Sequence, residues 1–171
     1  MMLSQASRAS LQNLNPAHFK GVMRRFTSSV CIVTAGWQGR YTGMTATAVC
    51  SVSVDPPSML IVINQSNRSH GLVESAGAFA INLLSSEQRA LAVHFSSRPG
   101  EPFSGLDYTL GSVGAPILRD CAAYLECVVE SQVKSGTHSI FIGRVVSVGG
   151  TAKWPLCYRN GEYLASGAAS A

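Results

Sequence analysis

GMTATAVCSVSVDPP, residues 43–57, is the stretch on which the fold turns. Its hydroxyls fall at Thr45, Thr47, Ser51 and Ser53, all odd positions, while Met44, Ala46, Ala48, Cys50, Val52 and Val54 take the even ones. Side chains alternate across a strand, so the pattern predicts one small polar face and one apolar face. A solvent face ordinarily carries Lys, Glu or Arg, and none occurs from Gly43 to Val54. Backbone this bare leaves room for something to lie close against it. The β-branched run Ser29 to Ala35 (SVCIVTA) comes before, bounded by Gly36, and GRYTG turns into the stretch, so the two form a hairpin. Asp55, Pro56 and Pro57 make the corner that follows.

Working outward, SMLIVIN is an apolar strand, NRSHGLVESAG a short helix ending at Gly77, and AFAINLL the next strand. EQRALAVHF, residues 87–95, is helical, with Leu91 and Phe95 four apart. Ser96 to Gly114 is rich in Gly, Pro and Ser and is expected to be a long loop, the kind of segment that tends to carry function. AAYLECVVESQVKS, HSIFIGRVVSVGG and PLCYRNGEYLA complete a strand-rich C-terminal third. At the other end Asn15 caps a helix opened by Pro16, and His18 to Phe26 sets Phe19, Val22, Met23 and Phe26 at helical spacing. Strands in succession with only short helices between them predict a mainly β, closed antiparallel barrel, not a doubly wound parallel sheet. The expected organisation is a flexible arm over 1–15, one domain over 16–166 and a flexible tail over 167–171.

The chain of 171 residues is 46% hydrophobic and 13% charged, which suits one core and suggests surface hidden in a homo-oligomer. Its net charge of +4 is scattered, with no basic cluster beyond Arg24 and Arg25, so no nucleic-acid track is expected. The five cysteines form no CxxC pair and read as free thiols of a reducing cytoplasm. No secretory leader and no run of membrane-spanning length is read, so no membrane partner is expected.

There is no GxGxxG, GxxxxGK[ST], HExxH or GxSxG in the chain, which removes the local geometry of the common dinucleotide, P-loop, zincin and serine-hydrolase sites. The histidines at 18, 70, 94 and 138 lie far apart with no acidic residue at ligand spacing, so no metal is expected. Three constellations remain, each with two readings. Residues 43–57 are either an edge strand with a polar outer face or a bed of hydroxyls and amides for a flat heterocycle. NQSNRSHG (64–71) is either a capped helix with a solvated Arg, or a phosphate cradle of Ser66, Arg68, Ser69 and helix N-terminal amides. In SGTHSIFIGRV (135–145), His138 is either a hydrogen-bonded edge residue or a group beside a hydride donor.

Taken in order, GMTATAVCSVSVDPP, FAINLLSSEQRALAVHFSS, GTHSIFIGRV and PLCYRNGEY resemble the short-chain flavin reductase family over roughly Phe19 to Leu164. Within that family the likeness is to the reductase components of two-component aromatic monooxygenases, such as the 4-hydroxyphenylacetate system. The resemblance implies an FMN-binding split β-barrel, homodimeric and cytoplasmic. It would reduce FAD or FMN with NADH or NADPH and pass the reduced flavin to a flavin-dependent monooxygenase. By the same likeness, Thr45, Ala46, Thr47, Cys50, Ser51, Val52 and Ser53 line the flavin ring and ribityl chain, and wrapping the flavin implies a bend near Ala48 to Cys50. Ser66, Arg68 and Ser69 hold phosphate, and Phe95 flanks the ring. His138, the catalytic candidate, contacts the nicotinamide with Gly136, Thr137 and Tyr163. Many relatives carry Gly-Asp-His where this chain has Gly136, Thr137 and His138. A non-catalytic flavin-binding protein and a pyridoxamine-phosphate-oxidase-like enzyme are the alternatives on the same barrel.

Overall fold

The computed structural model describes residues 14–97 and 100–165. The expected arm, apart from Leu14 and Asn15, and the expected tail lie outside the described residues.

The first helix, α1, is Pro16–Met23, with the Asn15 side chain accepting from the Ala17 N–H at 2.8 Å. It stops three residues short of Phe26, where Arg24 and Arg25 enter a turn. Then come β1 (Ser28–Ser29), β2 (Cys31–Trp37), β3 (Arg40–Ala46), β4 (Val49–Val54) and β5 (Pro57–Asn64). Helix α2 (Arg68–Ala76) is capped by Asn67 and closed by Gly77, whose φ of 60° is the left-handed conformation that glycine tolerates best. After β6 (Ala78–Leu83), helix α3 (Arg89–Ser96) begins two residues later than the sequence predicts, with Gln88 at its N-cap. The region beyond contains short strands β7 (Tyr108–Leu110) and β8 (Pro116–Leu118), then the long β9 (Ala123–Ser135) and β10 (His138–Gly150).

PLCYRNGEYLA is not one closing strand but a hairpin, β11 (Leu156–Arg159) and β12 (Glu162–Ala165), turned by Asn160 at φ 53° and Gly161 at φ 90°. An Asn-Gly pair with both residues at positive φ is the chemistry a tight hairpin requires.

Seven strands form one sheet in the order β3-β2-β6-β9-β10-β5-β4, with every neighbouring pair antiparallel. Strands β3 and β4, consecutive in sequence, are its two opposite edges. The residues between them, Thr47 and Ala48, are the split in the barrel. A small sheet, β1-β11-β12, packs beside it. One buried cluster, including Phe79, Phe141, Ile61 and Ile63, fills the main sheet, and a second, including Phe95, Phe103, Leu84 and Leu156, lies under α3. Buried Asn82 bonds through its side chain to Ile32, Thr34, Pro116 and Leu118, tying β8 to the sheet. Burial pushes the thiols of Cys31, Cys121 and Cys127 up to about 12, so these three cysteines stay protonated around neutrality.

Candidate functional site

The single alternation expected over residues 43–57 does not run through. Met44 and Ala46 pack on the main core from β3, but from β4 it is Val49 that does so. Strand side chains have a period of two, so passing from an even to an odd inward position means that the break at Thr47 and Ala48 resets the phase. The expected hydroxyl row divides accordingly. Thr45 donates to the Ala92 carbonyl of α3 at 2.7 Å, whereas Ser51 shares Val49's parity and helps to line a cavity. The apolar even positions of β4 are open: Val52 is 47% and Val54 92% exposed. A bulge between Ser51 and Ser53 leaves Val52 unpaired against β5.

The break brings three separate motifs to one end of the sheet. The Ala48 carbonyl accepts from the Val62 N–H at 3.1 Å. Two residues on, Asn64 ends β5 opposite His138. Gln65 bonds across to the same turn, its N–H donating to Thr137 O at 2.9 Å and its side-chain amide to His138 O at 3.2 Å. From the other side, the Thr42 and Ser69 hydroxyls meet at 2.7 Å, fixing the first turn of α2 against β3. Thus the end of β5, the start of α2, the Thr137–His138 turn and the break are held by direct hydrogen bonds.

Beside the break is a cavity of about 450 Å³ lined by Thr47, Val49, Cys50 and Ser51 together with Thr27, Ser28, Ser29, Cys31 and the aliphatic side chains of β5, β6 and β9. Its wall carries hydroxyls and apolar groups but no charged side chain. That donor set suits an uncharged flat ring with carbonyl edges, and the volume is of the size that holds a small ligand. Thr27, Ser28 and Ser29 are additions to the sequence-expected set; paired serines opening a β-branched run were the available signal. Ala46 is buried in the core beside the break, and Ser53 turns to Asp55, donating to its carbonyl at 3.0 Å and accepting from its N–H at 3.2 Å.

At the candidate phosphate cradle, Ser66 is exposed, with its N–H and hydroxyl both donated to Asn64 Oδ1. Arg68 is exposed and, among the described residues, in no ion pair. Ser69 is buried and committed, through its N–H to Asn67 and its hydroxyl to Thr42. His138 is exposed, its Nδ1 2.9 Å from Thr137 Oγ1, and Gly136 turns at φ 56° just before it.

Two expected residues are not brought into this group. Phe95 is 2% exposed, packed 5.4 Å from Phe103 between ring centroids, and its ring lies against Gly43. Tyr163 stands on the small sheet, 5.2 Å from Tyr158 between ring centroids with the Arg89 guanidinium over its ring, and burial pushes its phenol up from the ordinary value. Among the described residues no cluster of His, Cys, Asp or Glu has a metal-binding arrangement, and no helix is long and apolar enough to cross a membrane.

Residues 23–167 match the family model described as a flavin reductase like domain. The chain is 37% identical over 166 residues to the reductase component of an FADH(2)-dependent resorcinol hydroxylase from Rhizobium sp. (strain MTP-10005), covering 91% of this chain and 92% of that protein. It is 36% identical to a probable flavin reductase of Rhizobium meliloti (strain 1021) over 88% of this chain, spanning about half (49%) of that longer relative. The solved NADH:FAD oxidoreductase of Streptomyces globisporus C-1027, in complex with NAD and FAD fragments, superposes with a TM-score of 0.83 at 26% identity, covering 100% of this chain and 99% of that one.

Proposed function

The chain belongs to the flavin reductase-like family, and from that footing we propose that it is an NAD(P)H:flavin oxidoreductase that reduces FAD or FMN and hands the reduced flavin to a flavin-dependent monooxygenase. The observation that carries this reading is the convergence at the strand break. There an uncharged, hydroxyl-lined cavity opens beside the break, and the Ala48 carbonyl of the break bonds to β5 two residues before the strand end that faces His138 and leads into the helix bearing the exposed Arg68.

The residues present fit a flavin. Ser28, Ser29, Thr47 and Ser51 are hydroxyls placed to hold the ring, with Cys50 and the backbone at Ala48 letting it approach. Arg68 and Ser66 would take phosphate. When bound, the flavin supplies the redox chemistry by accepting hydride from a nicotinamide. The chain's own residues bind and orient: hydroxyl donors favour the more electron-rich state of a ring they face, and preorganised donors of this kind need no rearrangement to do so. His138 and Thr137 would hold the nicotinamide nucleotide. No carboxylate lines the cavity, which fits chemistry in which the protein aligns two flat rings without a general acid or base.

The reading extends to a homodimer in a reducing cytoplasm. Supporting the dimer, Phe19, Val22, Met23 and Phe26 are 52, 44, 47 and 62% exposed on and just after α1, and β4 leaves Val52 and Val54 open. Supporting the compartment, all five cysteines are free. To test the activity, purified protein is mixed with NADH and excess FAD or FMN while the nicotinamide absorbance is followed. Flavin-dependent loss of absorbance is expected; none would leave only a flavin binder.

A further inference from the structure

His70 and Ser139 form a buried pair that lies outside the group of residues facing the ligands. His70, 8% exposed on the first turn of α2, has its Nε2 2.8 Å from the Oγ of Ser139, which is 0% exposed on β10. Phe141, also on β10, meets the imidazole edge-on with ring centroids 5.3 Å apart. The other partner of the Ser139 hydroxyl is the Gln132 side-chain amide, at 3.5 Å. A hydrogen bond that long is weak, and a buried hydroxyl left without a good partner is costly. An apolar side chain at position 70 would fill the space and strand that hydroxyl, so packing alone does not account for a histidine here.

The pair stands next to two groups of the candidate site. Arg68 precedes His70 by two positions on α2, and His138 precedes Ser139 by one on β10. A helix turns about 100° per residue, so Arg68 and His70 face nearly opposite ways. Neighbours on a strand likewise point to opposite faces. Burying His70 and Ser139 against each other thus turns Arg68 and His138 outward, and both are exposed. The other side-chain tie of this helix turn, Ser69 to Thr42, runs to β3 at the edge of the sheet. Gln65 joins the segment ahead of the helix to the Thr137–His138 turn, but among the described residues the hydrogen bond from α2 itself to β10 is that of His70.

We propose that His70 is a positioning residue: through Ser139 it locks α2 to β10 and so holds Arg68, for the flavin phosphate, at a fixed separation from His138, for the nicotinamide. The proposal rests on the flavin- and nicotinamide-binding reading of those two residues. His70 acts through the two elements and not by contact with either ligand, setting the alignment that two stacked rings need.

Riboflavin carries the ring and ribityl chain of FMN without the phosphate, so the ratio of their dissociation constants isolates the Arg68 contact. Both constants are measured by fluorescence titration for the full chain, for His70→Ala, His70→Gln and Ser139→Ala, and for the double alanine variant, together with the KM for NADH and the melting temperature. Expected for His70→Ala is at least a fivefold loss of FMN affinity with riboflavin within twofold of the parent, and an NADH KM raised at least threefold. Ser139→Ala should give the same pattern, and the double variant no more than either single change, because the same bond is removed. His70→Gln, which keeps an amide near the place of Nε2, should recover most of both losses. A merely structural role would lower the melting temperature while FMN and riboflavin weakened together or not at all. That outcome, additive losses in the double variant, or a glutamine no better than alanine would overturn the proposal. A parent chain that binds FMN no tighter than riboflavin overturns it along with the phosphate reading at Arg68, whereas a parent and variants that distinguish the two flavins equally overturn this proposal alone. The titrations need no turnover, so they stand apart from the absorbance test of the activity itself.

Discussion

His138 opens β10 at the point where three motifs meet, and its backbone is fixed by Gln65 while its ring is exposed beside Thr137. With its ring proposed to contact the nicotinamide, His138→Ala removes one contact worth about 1 kcal/mol, a fivefold effect. The expected outcome is a KM for NADH raised about fivefold with flavin dissociation constants within twofold of the parent, read by steady-state kinetics and fluorescence titration. Equal losses in a folded variant would refute the assignment. The sequence marks this residue well, because a Gly-bounded turn before an apolar strand isolates its one polar ring. It marks Ser28 and Ser29 poorly, because two small residues before a β-branched run read simply as a strand start. Phe95 shows the limit of spacing: an aromatic at helical spacing serves a ring site and a core equally well, and in the structure it is buried in the cluster under α3.

At the scale of elements, α3 can lie on β3 because Gly43 has no side chain. A Cβ there would come within 2.4 Å of the Phe95 ring, and the Thr45 hydroxyl bonds to Ala92 on the same helix. Gly43→Ala must therefore shift Phe95 within a packed cluster, a kind of overpacking that costs about 1–3 kcal/mol. Thermal denaturation should show a melting temperature lowered by several degrees, and an unchanged value would show that the ring has room to yield. Element types were legible from periodicity, and the helix start at Pro16 and the stop at Gly77 from their capping chemistry. A bend near Ala48 to Cys50 was expected from the flavin likeness, but the phase reset between β3 and β4 was not legible. Alternation by itself predicts a continuous face, and only the pairing of β3 with β2 and of β4 with β5 shows that the two halves answer to different neighbours.

For the whole molecule, the exposed apolar faces of α1 and β4 carry the prediction of self-association. Sedimentation should give a dimer, and the double variant Phe19→Glu, Val22→Glu should shift it toward monomer while leaving the circular dichroism spectrum intact. A parent chain that sediments as a monomer would refute this prediction. The low charge fraction already pointed to hidden surface, but which surface depends on the tertiary fold. The barrel itself was read from strand succession; the hairpin β11–β12 and its separate sheet were not, since Asn160 and Gly161 sit inside what looks like one run.

The split at Thr47 and Ala48 also bears on the order of assembly. Its upstream side is positioned by β2, a neighbour in the chain, but its downstream side hangs on β5, which is joined to the rest of the sheet through β10. Those partners lie far apart along the chain, and distant pairings form late because loop closure must precede the contacts that reward it. A nascent chain that has made residues 43–57 therefore holds every group of the ring cavity's β4 wall without the cavity. On the proposed reading of that cavity, flavin capture would have to wait until β5 has docked through β10.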